Sequence, residues 1–233
     1  MCQTIDPSWV DECPFSRLLV SWRTGTGQRR HIIGELTIAD DGLSFFAYAT
    51  DLSQAKSVGF LGYPGLPLDQ PINQKTAIDL FLRRLINTER EDALRKLSFW
   101  GVTQEQLSNK LYLLGVTQGQ SSSDEYEFLP ILYQREQPYK FVTAIAGLRY
   151  FDVDPATISE GEKLELQWEQ DNNHDPYAVA VKQTNGRTLG YLKQGINQLF
   201  ARLGTSQAEV IRIIDTGYIS QVFIECFVPP RRL

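Results

Sequence analysis

The sequence has few of the residues that usually build metal sites and covalent catalytic centres. It contains three cysteines, Cys2, Cys13 and Cys226, and two histidines, and the cysteines form no C-x-x-C pair. This argues against a disulfide framework and against a zinc site. Cys226 lies in an apolar alternation typical of a core strand, and we expect Cys13 in an exposed, irregular segment. The sequence therefore predicts no metal, no cofactor and no cysteine enzyme.

Long apolar runs and an excess of basic residues are also missing. No apolar stretch approaches the roughly 20 residues of a membrane span, and the opening MCQTIDPSWVDECPF lacks a signal-peptide pattern. We therefore expect a soluble, cytoplasmic protein. The formal net charge of −5 disfavours broad, non-specific binding of nucleic acid, because that mode needs a basic surface. Binding of one nucleotide or one strand end stays open, because it needs a pocket and few charges.

The first part of the chain alternates between short strands and turns. Runs of strand-forming residues predict strands at 17–22, 31–38 and 43–48. The separator TGTGQRRH lacks both the third glycine of a dinucleotide fingerprint and the Gly-Lys-Ser/Thr of a phosphate loop, so a hairpin turn is the better interpretation. Asp41-Gly42 is typical of a tight hairpin. His31 has no neighbour at ligand spacing, and we expect it at the surface or at an edge.

Helical spacing follows these strands. Apolar residues three and four apart predict one long helix from Thr76 to Leu97, with Thr76 and Asp79 at its cap. A shorter helix is predicted from Thr103, with Gln106 placed for a capping box. The polar stretch GVTQGQSSSDEYEFLP then indicates a boundary, although YEFLPILY fits a strand of either neighbour. We expect an N-terminal module over 1–115, a linker over 116–139 and a second domain over 140–233.

The last part of the chain is mostly strands. KLELQW alternates cleanly, and Asn185-Gly186 is a strong hairpin signal between two more strands. A short amphipathic helix over GINQLFARL is predicted to end at Gly204, and AEVIRIID and ISQVFIECFV are predicted as strands. The sequence thus predicts an α+β fold: a small antiparallel sheet with helices, followed by a small barrel with a short helix.

Acidic and amide side chains surround His174 in the stretch EQDNNHDPYAVAV. Asp171, His174 and Asp175 suit a metal or acid/base cluster, but the chain offers no second histidine-rich or cysteine-rich segment to complete one. The alternative is a polar turn between two strands, in which Asp175 caps backbone N–H groups ahead of Pro176. The residues alone favour the turn.

The second part of the chain resembles the HIRAN domain. The resemblance covers about 90 residues and is carried by IAGLRYF (145–151), EGEKLELQWEQDNNHDPYAVAV (160–181), NGRTLGYLK (185–193) and the following helix. It implies a barrel related to the OB fold. Members of the family fused to DNA-remodelling ATPases bind the 3′-hydroxyl end of single-stranded DNA. The chain departs from the family pattern at Asn173, in place of a proline, and at Tyr177, in place of an asparagine.

This resemblance implies a set of DNA-binding positions. They are Arg149, Tyr150, Asn172, His174, Asp175, Tyr191 and Lys193. Arg149 and Tyr150 match positions that contact the terminal nucleotide, and Asp175 matches the aspartate that accepts a hydrogen bond from the 3′-hydroxyl. Tyr191 and Lys193 follow the glycine of the strand after the hairpin.

The first part of the chain resembles the N-terminal subdomain of HipA-type kinases. The matching stretches are IIGELTIADDGLSFFAYATDL, SVGFLGYPGLPLD and AIDLFLRRLINTEREDALRKL. The segments of such a kinase that bind nucleotide and catalyse phosphotransfer are missing, so the resemblance implies a module for protein contact or regulation.

Two functions follow from these observations. The first is a non-enzymatic, bacterial-type protein whose HIRAN domain binds single-stranded DNA ends and whose HipA-like module contacts a protein. The alternative is a protein-binding regulator of toxin–antitoxin or phage-defence type that binds no DNA.

Overall fold

A computed structural model of the chain describes residues 13–25, 27–38, 43–121, 124–215 and 220–231. The chain divides into a first unit of residues Met1–Ile131 and a second of Leu132–Leu233. No helix of the described residues is long and apolar enough to cross a membrane.

The first unit is built on a four-stranded antiparallel sheet. The strands of this sheet are β1 (Arg17–Trp22), β2 (His31–Ile38), β3 (Ser44–Tyr48) and β6 (Tyr126–Pro130). Two further strands, β4 (Gly62–Tyr63) and β5 (Leu66–Pro67), form a separate small pair. The main sheet has the order β3-β2-β1-β6. The three strands predicted from alternation are therefore confirmed. β6 lies inside the segment predicted as a linker and pairs with β1.

Helices cover one face of this sheet. They are α1 (Ser53–Ser57), α2 (Gln74–Leu82), α3 (Ala93–Leu97) and α4 (Lys110–Val116), with short 3-10 turns at 98–100 and 105–108. The ring of Phe81 on α2 meets the rings of Phe46 and Phe128, each at 4.9 Å between centroids. All three side chains are fully buried, so aromatic packing fixes α2 on the sheet.

The prediction of one long helix over 76–97 is wrong. α2 begins two residues earlier, at Gln74, because Asn73 is its N-cap and accepts from the amide of Thr76 at 3.0 Å. The helix ends at Leu82, and the next helix begins only at Ala93. In between, the side chain of Asn87 accepts from the amide of Glu89 at 2.9 Å, which favours a turn over a helix.

The second predicted helix is confirmed in part. Gln106 Oε1 accepts from the amide of Thr103 at 2.9 Å, as in a capping box. The segment forms only a 3-10 turn, however, and α4 begins after Asn109, whose side chain accepts from the amide of Tyr112 at 2.8 Å. The apolar residues of the predicted helix thus belong mainly to α4.

One cysteine was placed wrongly from the sequence. Cys13 was expected in an exposed segment, but it is buried, with only 4% of its surface exposed. Its thiol donates to the carbonyl of Phe15 at 3.0 Å. Cys226 is buried as predicted, and this burial raises the pKa of its thiol. His31 lies half-buried at the start of β2, and Asp41-Gly42 lies outside the described residues.

In its described residues, the second unit is a six-stranded antiparallel sheet with one α-helix and a short 3-10 turn at 155–157. Its strands are β7 (Tyr139–Ala144), β8 (Lys163–Trp168), β9 (Val179–Gln183), β10 (Thr188–Tyr191), β11 (Ser206–Asp215) and β12 (Ser220–Val228), and its helix is α5 (Ile196–Leu203). The order is β10-β9-β8-β11-β12-β7. The predicted hairpin at Asn185-Gly186 is confirmed, with Gly186 at φ +88°. Gly204, at φ +79°, ends α5 as expected.

The sheet curls so that its two edges meet. After β7, the amide of Ala146 donates to the carbonyl of Tyr191 at 2.9 Å, and the amide of Tyr191 donates back at 2.8 Å. Gly190 makes this approach feasible, because a Cβ there would lie 2.2 Å from the carbonyl oxygen of Ala146. The result is an OB-like half-barrel around a buried apolar core, in agreement with the predicted small barrel.

Candidate functional site

The loop between β8 and β9 is a hydrogen-bonded polar turn. Asn172 Oδ1 accepts from the amides of His174 and Asp175 at 3.0 and 3.1 Å. Asp175 Oδ1 accepts from the amide of Tyr177 at 2.8 Å. Side chains that satisfy backbone donors in this way hold a loop in one conformation. The structure thus agrees with the turn predicted from the residues, with Asn172 and Asp175 as its organising side chains.

Asp175 is also fixed from outside the loop. Its Oδ2 accepts from Asn197 Nδ2 at 2.8 Å. Asn197 lies in the first turn of α5 and is 2% exposed, whereas Asp175 is half-buried. Each carboxylate oxygen therefore holds one hydrogen bond and keeps a further lone pair for a ligand. Asn197 was not found from the sequence, because only the fold places α5 against this loop.

Glu169 connects the loop to β10. Its Oε2 accepts from the hydroxyl of Tyr191 and from Asn172 Nδ2, both at 3.0 Å. Partial burial, together with the hydrogen bond to and the charge of Glu169, raises the pKa of Tyr191. The phenol therefore stays neutral and works as a donor. Glu169 was not among the predicted site residues, although it opens the polar stretch that drew attention to the loop.

Three aromatic rings lie in a row beside this network. Tyr150 contacts Phe151 edge to face at 5.1 Å between centroids, and Phe151 contacts Tyr191 at 5.6 Å. Tyr150 is 85% exposed, more than any other Phe, Tyr or Trp side chain of the described residues. The row thus runs from the polar network out to solvent. Phe151 is a further residue that the sequence reasoning did not single out.

A tight turn after β7 presents the exposed end of this row. The amide of Tyr150 donates to the carbonyl of Gly147 at 2.9 Å, and the amide of Val153 donates to that of Leu148 at 3.1 Å. Asp152 has a left-handed backbone, at φ +48°, which Asp tolerates better than most residues. This turn and the edge closure at Ala146 hold Tyr150 and Phe151 next to Tyr191.

The two predicted cations have different surroundings. Arg149 is exposed at the tip of the same turn as Tyr150. Lys193 is 6% exposed and lies two residues after Tyr191, where its carbonyl accepts from the amide of Asn197 at 3.0 Å. His174 is exposed, and its backbone amide rather than its imidazole joins the hydrogen-bonded loop.

The structure thus links five of the predicted residues through named contacts. Asn172, His174 and Asp175 share the loop, Tyr191 joins them through Glu169, and Tyr150 joins Tyr191 through Phe151. Within the described residues, no group of three His, Cys, Asp or Glu side chains is placed to hold a metal ion. The arrangement offers fixed hydrogen-bond acceptors beside an exposed aromatic surface.

Comparison with known proteins agrees with the domain type predicted for this unit. Residues 138–223 match the model of the HIRAN domain. A protein of known structure from Lactobacillus plantarum aligns at 20% identity over 39% of this chain and 97% of its own, with a TM-score of 0.32. The HIRAN domain of human HLTF aligns at 20% identity over 38% of this chain and 73% of its own, also at 0.32. No curated protein matches the sequence.

Proposed function

We propose that the second unit binds the 3′-hydroxyl end of a single-stranded DNA. The observation that carries this proposal is the fixed carboxylate of Asp175, which lies in one hydrogen-bonded network with Tyr191 and next to an exposed aromatic row. The match of residues 138–223 to the HIRAN domain supports the same ligand class. We assign no catalytic role to these residues.

A carboxylate distinguishes a hydroxyl end from a phosphate end by charge. Asp175 accepts a hydrogen bond from a terminal hydroxyl, and such a bond to a charged group contributes about 1.5–3 kcal/mol. A phosphate at the same place would meet the carboxylate as a like charge at short distance and would be repelled. Because Asn197 and the Tyr177 amide hold the carboxylate in place, the carboxylate loses little conformational freedom when the DNA strand binds.

The aromatic row supplies affinity that does not depend on sequence. A base that stacks on an exposed tyrosine gains about 1–3 kcal/mol, and every base has a ring face to offer. Tyr150 is the ring available to solvent. It packs against Phe151, which in turn packs against Tyr191. We place the terminal base on this row.

Few phosphates need to be held for such a mode of binding. Arg149 is exposed beside Tyr150, and Lys193 lies next to the Tyr191 network. We propose that these two side chains hold the one or two phosphates nearest the end. The formal net charge of −5 then does not prevent binding, because the remainder of the strand leaves the surface.

For the first unit we propose contact with a protein partner. This proposal rests on its HipA-like sequence pattern and on apolar side chains at the end of α1 and just after it, where Val58 is 46% and Leu61 is 87% exposed. Exposed apolar residues that lie near one another in the chain favour a contact surface. Loss of a copurifying partner on changing Leu61 to Asp would support this function.

The test of end recognition compares two chemistries at one position. Fluorescence anisotropy is measured with short single strands that are identical except for a 3′-hydroxyl or a 3′-phosphate, at low salt where charge contacts are strongest. We expect tighter binding of the hydroxyl end, and no difference when the 5′ end is varied in the same way. Equal affinities for the two 3′ ends, or no binding of either, would refute the proposal.

A further inference from the structure

A depression in the surface adjoins the candidate site along the loop between β8 and β9. It measures about 650 Å³, is open to solvent, and is lined by the consecutive residues Gln167 to His174. Glu169 and Asn172, which hydrogen-bond each other and hold Tyr191, form part of its wall. Any ligand in the depression therefore lies next to the position proposed for the terminal nucleotide.

Trp168 is one of the residues that line the depression. Its Nε1 donates to the carbonyl of Pro176 at 2.9 Å, which ties the ring across the base of the loop. Trp168 stacks on no other aromatic ring of the described residues. A fixed and unstacked indole is a platform for a flat ring such as a nucleobase.

The polar groups around the indole suit a neutral ligand that donates hydrogen bonds. Asp171 is exposed and makes no hydrogen bond or ion pair with the part of the chain that the structure describes. Glu169 adds a second carboxylate, and the nearby ammonium of Lys182 is already held by Gln167 Oε1 at 2.8 Å. Two carboxylate residues that line one depression disfavour a phosphate in this place.

Among the nucleobases, guanine fits a free carboxylate best. Its N1–H and N2–H₂ groups are adjacent donors that one carboxylate accepts together. Adenine and cytosine place a ring-nitrogen lone pair beside their amino group, and thymine has a single N–H between two carbonyl oxygens. Each of these edges brings a lone pair toward the carboxylate, so guanine alone is matched at both contacts.

We infer that this depression binds the base of the nucleotide immediately before the 3′ end and prefers guanine there, through stacking on Trp168 and a paired hydrogen bond to Asp171. This inference rests on the proposed recognition of the strand end. It adds a sequence preference to a site whose aromatic row reads no sequence.

The test uses 3′-hydroxyl strands that differ only at the penultimate base. Anisotropy is measured with guanine, hypoxanthine, adenine, cytosine, thymine or no base at that position. We expect guanine to bind about fivefold or more tightly than adenine, cytosine or thymine, as for a two-contact base reading. Hypoxanthine, which lacks the N2 amino group, should fall between guanine and adenine, and the abasic strand should bind weakest.

Two variants assign the effect to the depression. Residue 171 is exposed, and Asp171→Asn should remove the preference for guanine and keep the preference for a 3′-hydroxyl. Trp168→Phe keeps a ring and should reduce the difference between base and abasic strands. Asp69→Asn in the first unit makes the same charge change and should alter neither preference.

The outcomes separate this inference from the proposal on which it rests. A hydroxyl preference with equal affinity for all penultimate bases would overturn the inference and leave end recognition standing. A guanine preference that survives Asp171→Asn would also overturn it. No binding of any strand at low salt would overturn both.

Discussion

At the scale of single residues, we propose that the carboxylates around His174 serve recognition of a ligand. General acid–base catalysis needs a titrating group within reach of a nucleophile or of a reacting proton. Asp175 accepts from an amide side chain and a backbone N–H, and Glu169 accepts from Tyr191 and Asn172. All these partners are neutral donors that hold the two carboxylates in place. In the proposed mode of binding, they position acceptors for the ligand.

Tyr150 provides the simplest test at this scale. Because it is 85% exposed, Tyr150→Ala should leave the free energy of unfolding within about 0.5 kcal/mol of wild type. It should weaken strand binding by about 1–3 kcal/mol, since one stacked base loses its platform. Urea denaturation and anisotropy measure the two effects.

The matched control removes an exposed aromatic ring from the first unit. Phe45 is 50% exposed, and we expect Phe45→Ala to leave strand binding unchanged. If Tyr150→Ala binds as tightly as wild type, the aromatic row does not contact the terminal base.

Asp124 provides a test of stability at the residue scale. Arg84 donates to both of its carboxylate oxygens at 2.7 Å, and the Arg84 side chain is only 6% exposed. Partial burial acts to raise the pKa of Asp124, but the hydrogen bonds from Arg84 and Tyr126 and the charge of Arg84 outweigh it, so the pKa lies below its usual range. Asp124→Asn should cost about 1–2 kcal/mol at pH 7, discounted because Asp124 is one-third exposed.

The pH dependence of this pair has a defined sign. Because the folded pKa is lowered, the stabilisation is complete above the unfolded value of about 3.9 and is lost as the pH falls through the folded value. Urea denaturation at pH 7 and at about pH 3 should therefore show the cost of Asp124→Asn shrinking at low pH. A cost that is the same at both values would contradict the assigned ion pair, and Asp69→Asn is the control.

At the scale of elements, the strands could be predicted from the sequence and the breaks in the helices could not. Alternation and Asn185-Gly186 identify strands and a hairpin because they act through neighbouring residues. The break after Leu82 coincides with long-range contacts of Arg84, which donates to Asp124 and to the carbonyl of Gly119 far along the chain. Helical spacing alone carries no sign of these contacts.

The site shows the same division between local and long-range causes. The hydrogen bonds of Asn172 within its own loop follow a local pattern and could be expected. Glu169 and Asn197 join the site because the curled sheet and α5 bring distant segments to the loop. Because each contact joins residues that are 22 positions apart, neither could be predicted from the local sequence pattern.

Gly190 tests whether that closure positions the site. In Gly190→Ala, the new Cβ would lie 2.2 Å from the carbonyl oxygen of Ala146 and 2.7 Å from Ile145 Cγ2. The edges must move apart, so we expect a loss of about 1–3 kcal/mol in the free energy of unfolding. Binding of single-stranded DNA should weaken as well, because the contact between Phe151 and Tyr191 depends on this closure of the sheet.

Gly25 offers a control for this substitution. A Cβ at Gly25 would have no atom within 4 Å, and Gly25→Ala should change stability by no more than about 0.5 kcal/mol. If Gly190→Ala is equally silent, the edges of the sheet are not held together in solution as described.

At the scale of the whole molecule, a formal net charge of −5 limits how nucleic acid can be held. A DNA strand bound along its length would need many cations, whereas the proposed end recognition uses Arg149 and Lys193 alone. For single-stranded DNA, the logarithm of the affinity falls with the logarithm of the salt concentration with a slope of about −0.7 for each phosphate that the protein holds. We therefore expect a slope of about −1.4, reduced by about 0.7 in Arg149→Gln.

A steep slope would contradict this mode of binding. Anisotropy titrations from low to physiological salt measure it for wild type and for Arg149→Gln. Arg95→Gln, on α3 of the first unit, is the charge-matched control and should leave the slope unchanged. A slope several times larger than expected would indicate broad contact with the backbone of the strand.

The central claim is that the carboxylate of Asp175 meets a terminal 3′-hydroxyl, and a double-mutant cycle tests it most directly. Wild type and Asp175→Asn are each titrated with strands that end in a 3′-hydroxyl or in a 3′-deoxy sugar. We predict that loss of the hydroxyl weakens binding to wild type by about 1.5–3 kcal/mol and weakens binding to Asp175→Asn by less, about 0.5–1.5 kcal/mol, because its neutral amide oxygen is a weaker acceptor, so that the coupling energy is about 1–2 kcal/mol. A hydroxyl whose loss costs the same in both proteins, or costs nothing in wild type, would contradict the claim.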